Sequence, residues 1–423
     1  MERSKPVGIC IDDGKRQVVN VITWEQRKLG EVVEKVTTKN NDTQYIETFT
    51  NSAELGIMSQ REYFDHDVSN IENISGYYIV ENDAFVYNPR ISTSAPVGPI
   101  NRNKLGRTGV MSPLYTVFKV NGIDSEYLEW YFKSTGWHSF MKFNGDSGAR
   151  SDRFSIKDSV FFEMPIPTPD IDEQEKIGEY FSSLDHLITL HQRKCDEMKK
   201  MKKFMLQKMF PKNGQKNPEI RFDGFTDDWE QRKFSDYYKM SSGYAFKMSD
   251  YCEDGIGLIN GESIQHGIIN DDNLNHLPES FIEQYPDFIL KEGDIVVGLN
   301  RPITNGNLKI ARIPSKYNDS LLYQRAGKVV YKEECDRDFS YVLLSQEILK
   351  HTLVEAVGSD QPFISTSKLD KWQMMIPKDI EEQHKIGEYF SNLDNLITLH
   401  QRKCNWLKKL KEYMLKNIFQ RYK

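Results

Sequence analysis

One long segment occurs twice in this chain, and this repeat constrains the fold more than any other feature. Residues 173–195 and 382–404 agree at 20 of 23 positions, with an offset of 209 residues between the copies. The differences between the copies are Glu175/His384, Ser183/Asn392 and His186/Asn395. The sequence between the copies barely aligns. The repeat therefore predicts an internal duplication in which one element keeps a single role while two dissimilar regions have different roles.

Shorter matches extend the repeat within each half. The tag Trp-Glu-Gln-Arg-Lys begins at Trp24 and again at Trp229, and an Ile-Pro segment precedes each copy, from Pro165 and from Met375. The variable regions contain β-branched and aromatic runs such as DIVVGL and KVVYK, which are typical of strands. They also contain the amphipathic stretches DSEYLEWYFKSTGWHSFMK and DFSYVLLSQEILKHTLVEA, which predict helices.

The repeated part carries mainly apolar residues at alternating spacings of four and three, from Ile177 to Met209 and from Ile386 to Ile418, with breaks at Lys202 and Lys411. This heptad pattern predicts two long helices of roughly 37 residues, or about 55 Å at ~1.5 Å per residue, that pack through an apolar seam. The first helix carries the chain from one variable region toward the other. A two-fold relation would make the second helix run back, antiparallel to the first. The predicted seam and partner-docking residues are Tyr180, Phe181, Leu184, Ile188, Tyr389, Phe390, Leu393 and Ile397.

We therefore predict an α+β protein in which two mixed α/β domains are joined by a pair of long antiparallel coiled-coil helices, with a pseudo-two-fold internal repeat. A chain of 423 residues is long enough for two such cores. The predicted boundaries are 1–171 for the first domain, 172–210 for the central helix, 211–228 for a linker, 229–380 for the second domain and 381–423 for the C-terminal helix.

The composition argues against several classes of protein. No apolar run approaches the ~18 residues of a membrane span, and the N-terminus lacks the apolar segment of a signal peptide. The five cysteines form no Cys-x-x-Cys pair, which favours reduced thiols in a cytoplasm over a disulfide framework or a zinc site. The net charge of -6 argues against a uniformly basic nucleic-acid-binding protein but leaves local basic faces open.

Sequence motifs for catalysis are missing as well. The chain contains no Asn-Pro-Pro-Tyr segment of the kind used in amino-methyl transfer, no glycine-rich cofactor loop and no Walker A lysine. Tyr87-Asn88-Pro89-Arg90 has a single proline and is a poor substitute. The sequence therefore predicts that partner proteins supply any catalysis.

In its repeated blocks the chain resembles the specificity subunit of type I restriction–modification enzymes, which serve host defence. The resemblance covers nearly the whole chain. It rests on the two EQxKIGxYFxxLDxLITLHQRK blocks, on PEIRFDGFTDDWEQRKF from Pro218 to Phe234, and on the alternation of variable and repeated regions. The first half departs from this pattern because it has no counterpart of PEIRFDGF before Trp24, so the N-terminal edge of its domain is expected to differ.

The resemblance implies a cytoplasmic, non-catalytic subunit with two target-recognition domains. Each domain would read one half of a split, asymmetric site in double-stranded DNA, and the helices would fix the unread gap. Two methylation subunits and two restriction subunits would assemble around the chain. These partners would carry S-adenosylmethionine and ATP with magnesium, so the chain itself would need no cofactor and no metal.

Polar loops that follow apolar strands are the candidates for DNA contact. Arg can grip guanine with two parallel hydrogen bonds and Asn or Gln can do the same for adenine, whereas Lys more often holds phosphate. Two glycine-containing segments just before the Ile-Pro segments are candidates too. The predicted DNA-binding residues are Asn88, Arg90, Arg102, Lys104, Arg107, Arg150, Arg153, Asn300, Arg301, Thr304, Asn305, Lys309, Ser359 and Gln361. For each, an ordinary solvated loop is the alternative interpretation.

Two other functions stay open at this point. The chain could be a pseudo-symmetric scaffold that binds protein partners without reading DNA, or an autonomous nuclease or methyltransferase. The basic, Asn-rich loops favour DNA over the scaffold, and the missing motifs disfavour the enzyme.

Overall fold

The computed structural model describes residues 7–12, 15–20, 24–64, 71–146, 152–212, 214–272, 274–355 and 362–420. The chain forms two compact units. The first unit comprises residues 1–192 with 402–423, and the second unit comprises residues 193–401. Each unit therefore contains most of one half of the sequence together with the end of the long helix from the other half.

The first unit contains short strands and helices followed by one long helix. Its strands are β1 (Val7–Asp12), β2 (Lys15–Asn20), β3 (Glu25–Lys28), β4 (Val33–Lys35), β5 (Phe49–Ser52), β6 (Gly56–Ser59), β7 (Tyr78–Val80), β8 (Phe85–Tyr87), β9 (Ile100–Arg102), β10 (Gly109–Met111), β11 (Thr116–Val120) and β12 (Pro165–Thr168). Its helices are α1 (Leu29–Val32), α2 (Gln60–Phe64), α3 (Ser125–Lys133), α4 (His138–Asn144), α5 (Asp158–Phe161) and the start of α6 (Ile171–Lys208), with a 3₁₀ turn at Ile71–Gly76.

The second unit follows the same plan. Its strands are β13 (Glu230–Lys233), β14 (Tyr238–Ser242), β15 (Ile256–Ile259), β16 (His276–Leu277), β17 (Ile295–Gly298), β18 (Ile303–Thr304), β19 (Asn307–Leu308), β20 (Ile310–Arg312), β21 (Leu321–Leu322), β22 (Ala326–Tyr331) and β23 (Gln373–Ile376). Its helices are α7 (Phe234–Tyr237), α8 (Phe281–Gln284), α9 (Arg337–Glu355), α10 (Thr366–Leu369) and the start of α11 (Ile380–Gln420), with 3₁₀ turns at Met248–Asp250, Pro286–Phe288 and Ser315–Tyr317.

The central sheets of the two units have equivalent topologies although their sequences barely align. The first unit has the antiparallel order β4-β11-β8-β9 and the second has the antiparallel order β14-β22-β17-β20. In both units the Trp-Glu-Gln-Arg-Lys tag forms a strand that pairs with the Ile-Pro strand, as β3 with β12 and β13 with β23. The other ladders are antiparallel hairpins or short pairs, apart from β15 and β21, which are parallel.

Each hydrophobic core includes one aromatic residue from the start of a long helix and another from at or just beyond the end of the other long helix. In the first unit Phe181 and Phe419 stack with their ring centroids 6.2 Å apart, and both are buried. In the second unit Phe390 and Phe210 lie 6.1 Å apart in the equivalent place. The end of each long helix thus fills the core of the unit that the other half begins. Burying such large apolar side chains is the main stabilising contribution in domains of this size.

The two long helices pack antiparallel in both units, as predicted. In the first unit Lys411 pairs with Asp185 at 2.5 Å, and the Cys404 thiol lies 3.6 Å from Gln192. In the second unit Lys202 pairs with Asp394 at 2.6 Å, and the Cys195 thiol lies 3.5 Å from Gln401. Residues later in α6 therefore contact residues earlier in α11, as antiparallel packing requires. Of the predicted seam residues, Phe181, Leu184 and Phe390 are buried, and Ile188, Leu393 and Ile397 are half-buried.

The long helices begin one residue before the predicted positions. The Asp170 carboxylate accepts a hydrogen bond from the backbone of Glu173 at 2.9 Å, and Asp379 accepts from Glu381 at 2.9 Å. These side chains satisfy backbone N–H groups that have no partner inside the helix. No helix in the described part of the chain combines the length and the apolar character that crossing a membrane requires.

The repeated Gln and Gly explain how each long helix docks on its domain. Gln174 accepts a hydrogen bond from the backbone of Asp124 at 2.8 Å, and Gln383 accepts from Asp336 at 3.1 Å. A Cβ on Gly387 would lie 2.5 Å from the Asp336 carboxylate, so only glycine allows this approach without displacement. The equivalent glycine in the first copy, Gly178, meets the start of α3 in the same way.

One predicted helix is interrupted. The stretch DSEYLEWYFKSTGWHSFMK forms α3 and α4 with a break between them, rather than one continuous helix. In the break, the Ser134 hydroxyl donates to the Tyr131 carbonyl at 2.6 Å, and the Trp137 indole donates to the Phe132 carbonyl at 3.0 Å. Side-chain bonds of this kind compete with helix continuation.

Candidate nucleic-acid interface

The ends of neighbouring strands bring several polar segments together in the first unit. Strand β8 ends at Tyr87, which faces Ile100 at the start of β9 and Thr116 at the start of β11. The loop after β8 also meets the segment around Arg153, because the Phe154 N–H donates to the Pro89 carbonyl at 2.7 Å. We call residues 51–52, 88–90, 99–101, 114–115 and 152–154 the first polar edge.

Two arginines lie side by side on this first polar edge. Arg90 and Arg153 are partners in an antiparallel β-bridge, and Arg90 is exposed while Arg153 is half-buried. Neither guanidinium has a hydrogen-bond or ion-pair partner among the residues that the structure describes. Two neighbouring cations without acidic partners repel each other and favour an anionic ligand, such as a phosphate, or the acceptor edge of guanine.

Asn88 has a supporting role in this edge. Its amide donates to the Asn51 carbonyl at 2.8 Å and its side-chain oxygen accepts from the Arg90 backbone at 3.0 Å. Asn51 is almost fully buried, and its side-chain oxygen accepts from Asn101 at 2.7 Å. This asparagine network fixes the loop that presents Arg90.

The other basic candidates of the first half lie at the opposite end of the sheet. Arg102 faces Phe85, at the start rather than the end of β8. Its side chain is 11% exposed and its guanidinium pairs with Asp83 at 2.7 Å, while Lys104 contacts Glu129 at 3.2 Å. The structure therefore does not bring these residues together with Arg90.

Arg107 is also engaged inside the first unit. It donates two hydrogen bonds to the Glu47 carboxylate, both at 2.8 Å. The hydrogen bond from Arg107 holds the pKa of Glu47 below its ordinary value of 4.5, so the carboxylate stays ionised and neutralises the cation. A paired guanidinium offers less charge to DNA than an unpaired one.

The second unit gathers its candidates at the equivalent end of its sheet. Strand β17 ends at Gly298, and the Leu299 N–H after it donates to the Arg325 carbonyl at 3.0 Å. The Arg301 N–H donates to the Pro362 carbonyl at 3.1 Å, and the Lys309 ammonium donates to the Gly261 carbonyl at 3.3 Å. We call residues 260–261, 299–309, 323–325 and 362–363 the second polar edge.

Arg301 is presented in a constrained conformation on the second polar edge. Its φ of 46° lies in the left-handed region, which non-glycine residues rarely adopt. The side chain is exposed and, like the half-buried Asn300 beside it, has no polar partner within the described ranges. Strained residues of this kind cluster at binding sites.

A tight hairpin projects from the same edge. Thr304 pairs with Asn307, and Asn305 and Gly306 between them have φ angles of 51° and 76°. Two positive φ values define the turn that matches the twist of a two-residue hairpin. All four residues are exposed. A two-stranded ribbon of this size fits the major groove of DNA, and its Thr and Asn side chains suit base edges.

Two residues on the second polar edge were missed by the sequence analysis. Gln324 and Arg325 are exposed just before β22, and the Arg325 guanidinium has no partner in the described part of the chain. The signal was present: a polar Tyr-Gln-Arg segment lies between the apolar β21 and the KVVYK run. The predicted residues Arg150, Ser359 and Gln361 lie outside the described residues.

The long helices also expose apolar side chains away from their seam. In the first unit Tyr180, Trp406 and Tyr413 are 40%, 59% and 63% exposed. In the second unit Phe204 and Leu399 are 48% and 58% exposed, whereas Tyr389 is half-buried. The seam between the long helices does not cover these apolar side chains. Among the described residues, no group of three His, Cys, Asp or Glu side chains could hold a metal ion.

The duplicated fold thus places one polar edge at the same end of the central sheet in each unit. The family model described as "Type I restriction modification DNA specificity domain" matches residues 22–200 and 226–409. The chain belongs to this family, the DNA specificity subunits of type I restriction–modification systems. It is thus the component that determines DNA specificity and is not the catalytic one, as the repeated blocks predicted.

Known relatives agree with this assignment. The MjaVIII type I restriction enzyme specificity subunit of Methanocaldococcus jannaschii is 30% identical over 319 residues, which cover 74% of this chain and 73% of that protein. The EcoAI specificity subunit of Escherichia coli is 31% identical over 182 residues, or 43% of this chain and 29% of that protein. The crystal structure of the type I restriction–modification S subunit from M. genitalium shares the fold, with a TM-score of 0.56, 13% identity and coverage of 95% and 97% of the two chains.

Proposed function

We propose that each polar edge reads one half of a split, asymmetric DNA site. The observation that supports this most is the contrast among the basic residues. Arg90, Arg153, Arg301 and Arg325 have no acidic partner in the described structure, whereas Arg102 and Arg107, at the other end of their sheet, are neutralised. Free guanidinium groups collected at one end of each sheet are suited to guanine and phosphate.

The residues of the second polar edge divide into two roles. Arg301, Arg325 and the amides of Asn300 and Asn305 are suited to base edges, because Arg and Asn form paired hydrogen bonds with guanine and adenine. Lys309 is suited to phosphate, where it would fix register without reading sequence. The unread gap between the half-sites is set by the long helices, and the 38 residues of α6 measure about 57 Å at ~1.5 Å per residue.

The partners follow from the family and from the exposed helix surfaces. Two methylation subunits dock on the apolar side chains that face away from the seam, including Tyr180, Phe204, Leu399 and Trp406. They bring S-adenosylmethionine, and two restriction subunits bring ATP and magnesium, so this chain binds no cofactor itself. The complex works in the cytoplasm, where it has access to chromosomal DNA.

The test compares free with neutralised arginines in the complex with the methylation subunits. Replacing Arg90 and Arg153 by Ala should weaken binding to the cognate duplex by at least tenfold. It should also lower the salt dependence of the affinity, because a protein with fewer phosphate contacts releases fewer counterions when it binds. Arg102→Ala is the matched control and should lower thermal stability while leaving cognate affinity within about twofold once folded protein is counted. Equal losses of affinity for both variants would contradict the proposal.

The exposed aromatic side chains Trp406 and Tyr413 also suit a protein scaffold without DNA readout, the alternative function that the family assignment argues against. The two functions separate in one measurement. A scaffold would bind the methylation subunits but retain all duplexes equally, whereas a reader retains one sequence preferentially from a random library.

A further inference from the structure

In the second unit, a chain segment lies against the start of the long helix. Residues 217–228, which we call the entry segment, precede the tag at Trp229. Arg221 of this segment donates to both carboxylate oxygens of Glu382, at 2.7 and 2.8 Å, and the Trp229 indole donates to the same carboxylate at 3.2 Å. Glu382 is only 1% exposed. A buried carboxylate of this kind needs such a charged, two-pronged partner.

Other residues of the entry segment contact the same helix. The Phe222 ring lies 6.3 Å from the Tyr389 ring, and the Lys385 ammonium lies 4.9 Å from the centre of the Phe225 ring. Gly224, between the two phenylalanines, has a φ of 97° that favours glycine. The pattern Arg-Phe-x-Gly-Phe therefore matches a carboxylate, a tyrosine and a lysine on successive turns of the helix.

The first unit presents the same helix surface. Glu173, Lys176 and Tyr180 are identical to Glu382, Lys385 and Tyr389 at the offset of 209 residues. The first half of the sequence contains no Arg-Phe-x-Gly-Phe segment. The carboxylate of Glu173 has no hydrogen-bond or ion-pair partner among the residues that the structure describes.

Burial shows the same difference between the two copies. Ile386 is 2% exposed beside the entry segment, whereas the equivalent Ile177 is half-buried. Glu173 is half-buried and Tyr180 is exposed, while Glu382 is buried and Tyr389 is half-buried. Each of these residues is less covered in the first unit, which is the result expected if the surface lacks the segment that covers it in the second unit.

We propose that the surface formed by Glu173, Lys176, Ile177 and Tyr180 binds an extended segment of a partner protein that carries the pattern Arg-Phe-x-Gly-Phe. The Arg of the partner pairs with Glu173 as Arg221 pairs with Glu382. The first Phe packs on Tyr180, and the second Phe lies against the Lys176 ammonium. The charge of Glu173 and the chain's own contact between Arg221 and Glu382 thus identify the sequence that the partner segment carries.

A synthetic peptide of residues 217–228, added to the full-length chain, tests the surface directly. We expect saturable binding of one peptide per chain, with slower amide hydrogen exchange at residues 171–181. A peptide with Arg221→Ala and a chain with Glu173→Gln should each bind at least tenfold more weakly, because each removes a charge-assisted pair. Glu175→Gln is the matched control, because Glu175 is exposed two residues further along the helix, and it should leave binding unchanged.

Three results would overturn the proposal. One is binding that Glu173→Gln leaves intact. Another is protection at residues 380–390, which would mean that the peptide only displaces the chain's own entry segment. The third is a Glu173-dependent dimer without peptide, because a second copy would then be the occupant. As a check within one chain, placing residues 218–228 directly before Trp24 should raise the melting temperature and abolish binding of the free peptide.

Discussion

At the residue scale, the arginines of the two units differ in whether an acidic side chain neutralises them. Arg102 and Arg107 have the same side chain as Arg90 and Arg325 but lie against acidic groups at the other end of the sheet. From loop position and residue type, the sequence analysis named Arg90, Arg102 and Arg107 as candidates for DNA contact, but it missed Arg325. Only the three-dimensional sheet shows which strand ends meet and which cations are neutralised, since both depend on residues far apart in sequence.

Arg325 gives a prediction that the sequence alone did not suggest. Arg325→Ala should weaken cognate DNA binding by roughly five- to 100-fold, the value of one two-pronged base contact, without changing thermal stability. The measurement is equilibrium binding of the complex to duplexes varied at each position of the second half-site. Arg312→Ala is a suitable comparison, because Arg312 pairs with Asp338 at 2.5 Å at the far end of the sheet. A uniform loss over all sequences would show that Arg325 holds phosphate instead of reading a base.

His384 makes one stability contribution depend on pH. Its ring nitrogen lies 3.1 Å from the Asp336 carboxylate, and that hydrogen bond raises the pKa of His384 above its ordinary value of 6.5. A group whose pKa is raised on folding contributes stability that is fully present below its ordinary pKa and is lost as pH rises through the raised one. The difference in free energy of unfolding between the wild type and His384→Gln should therefore be largest near about pH 5.5 and shrink toward about pH 8.5. A difference that stays constant over this range would exclude the charge interaction.

At the element scale, the long helices were the most predictable part of the chain. The heptad pattern predicts the two helices and their starts to within one residue, and the two-fold relation of the repeat predicts their antiparallel packing. The strands were less predictable, since short runs of three or four residues carry a weak signal. The break between α3 and α4 was missed because it depends on local side-chain bonds of Ser134 and Trp137, which compete with an otherwise amphipathic pattern.

The docking of α11 on α9 depends on a glycine. Gly387→Ala would place a Cβ 2.5 Å from the Phe339 backbone nitrogen and from the Asp336 carboxylate. We expect a loss of about 1–3 kcal/mol in the free energy of unfolding, measured by urea denaturation. Gly178→Ala should cost less, because its nearest neighbour is a side-chain carbon at 2.9 Å, and Gly76→Ala, which meets nothing within 4 Å, should be neutral. Equal effects at all three glycines would contradict this account of docking.

The ion pairs between the long helices are expected to contribute to their register. Lys202 is 21% exposed and Asp394 is 39% exposed, so solvent screens the pair in part and its coupling energy should be about 0.5–1 kcal/mol. A double-mutant cycle with Lys202→Met and Asp394→Asn measures this coupling. The pair of Lys411 with Asp185 gives an independent repeat of the experiment in the first unit. A coupling energy of zero in both cycles would mean that the apolar seam alone fixes the register of the two helices.

At the scale of the whole molecule, duplication explains the division between constant and variable sequence. The repeated Gln, Gly and Phe positions build the helix pair and its attachment to each unit, so the two copies face the same packing demands. The strands between them keep one topology but present different side chains at the polar edges. Two unlike recognition domains on one repeated framework would select a split, asymmetric DNA site.

Exchange of one variable region tests the central claim, which is that the two units read DNA independently. Residues 24–164 would be replaced by the matching region of another family member, and the complex with methylation subunits would be expressed in cells. Sequencing of methylated adenines should then show a new first half-site, with the second half-site and the gap length unchanged. A change in both half-sites, or methylation that stays at the original sites, would contradict independent reading by the two units.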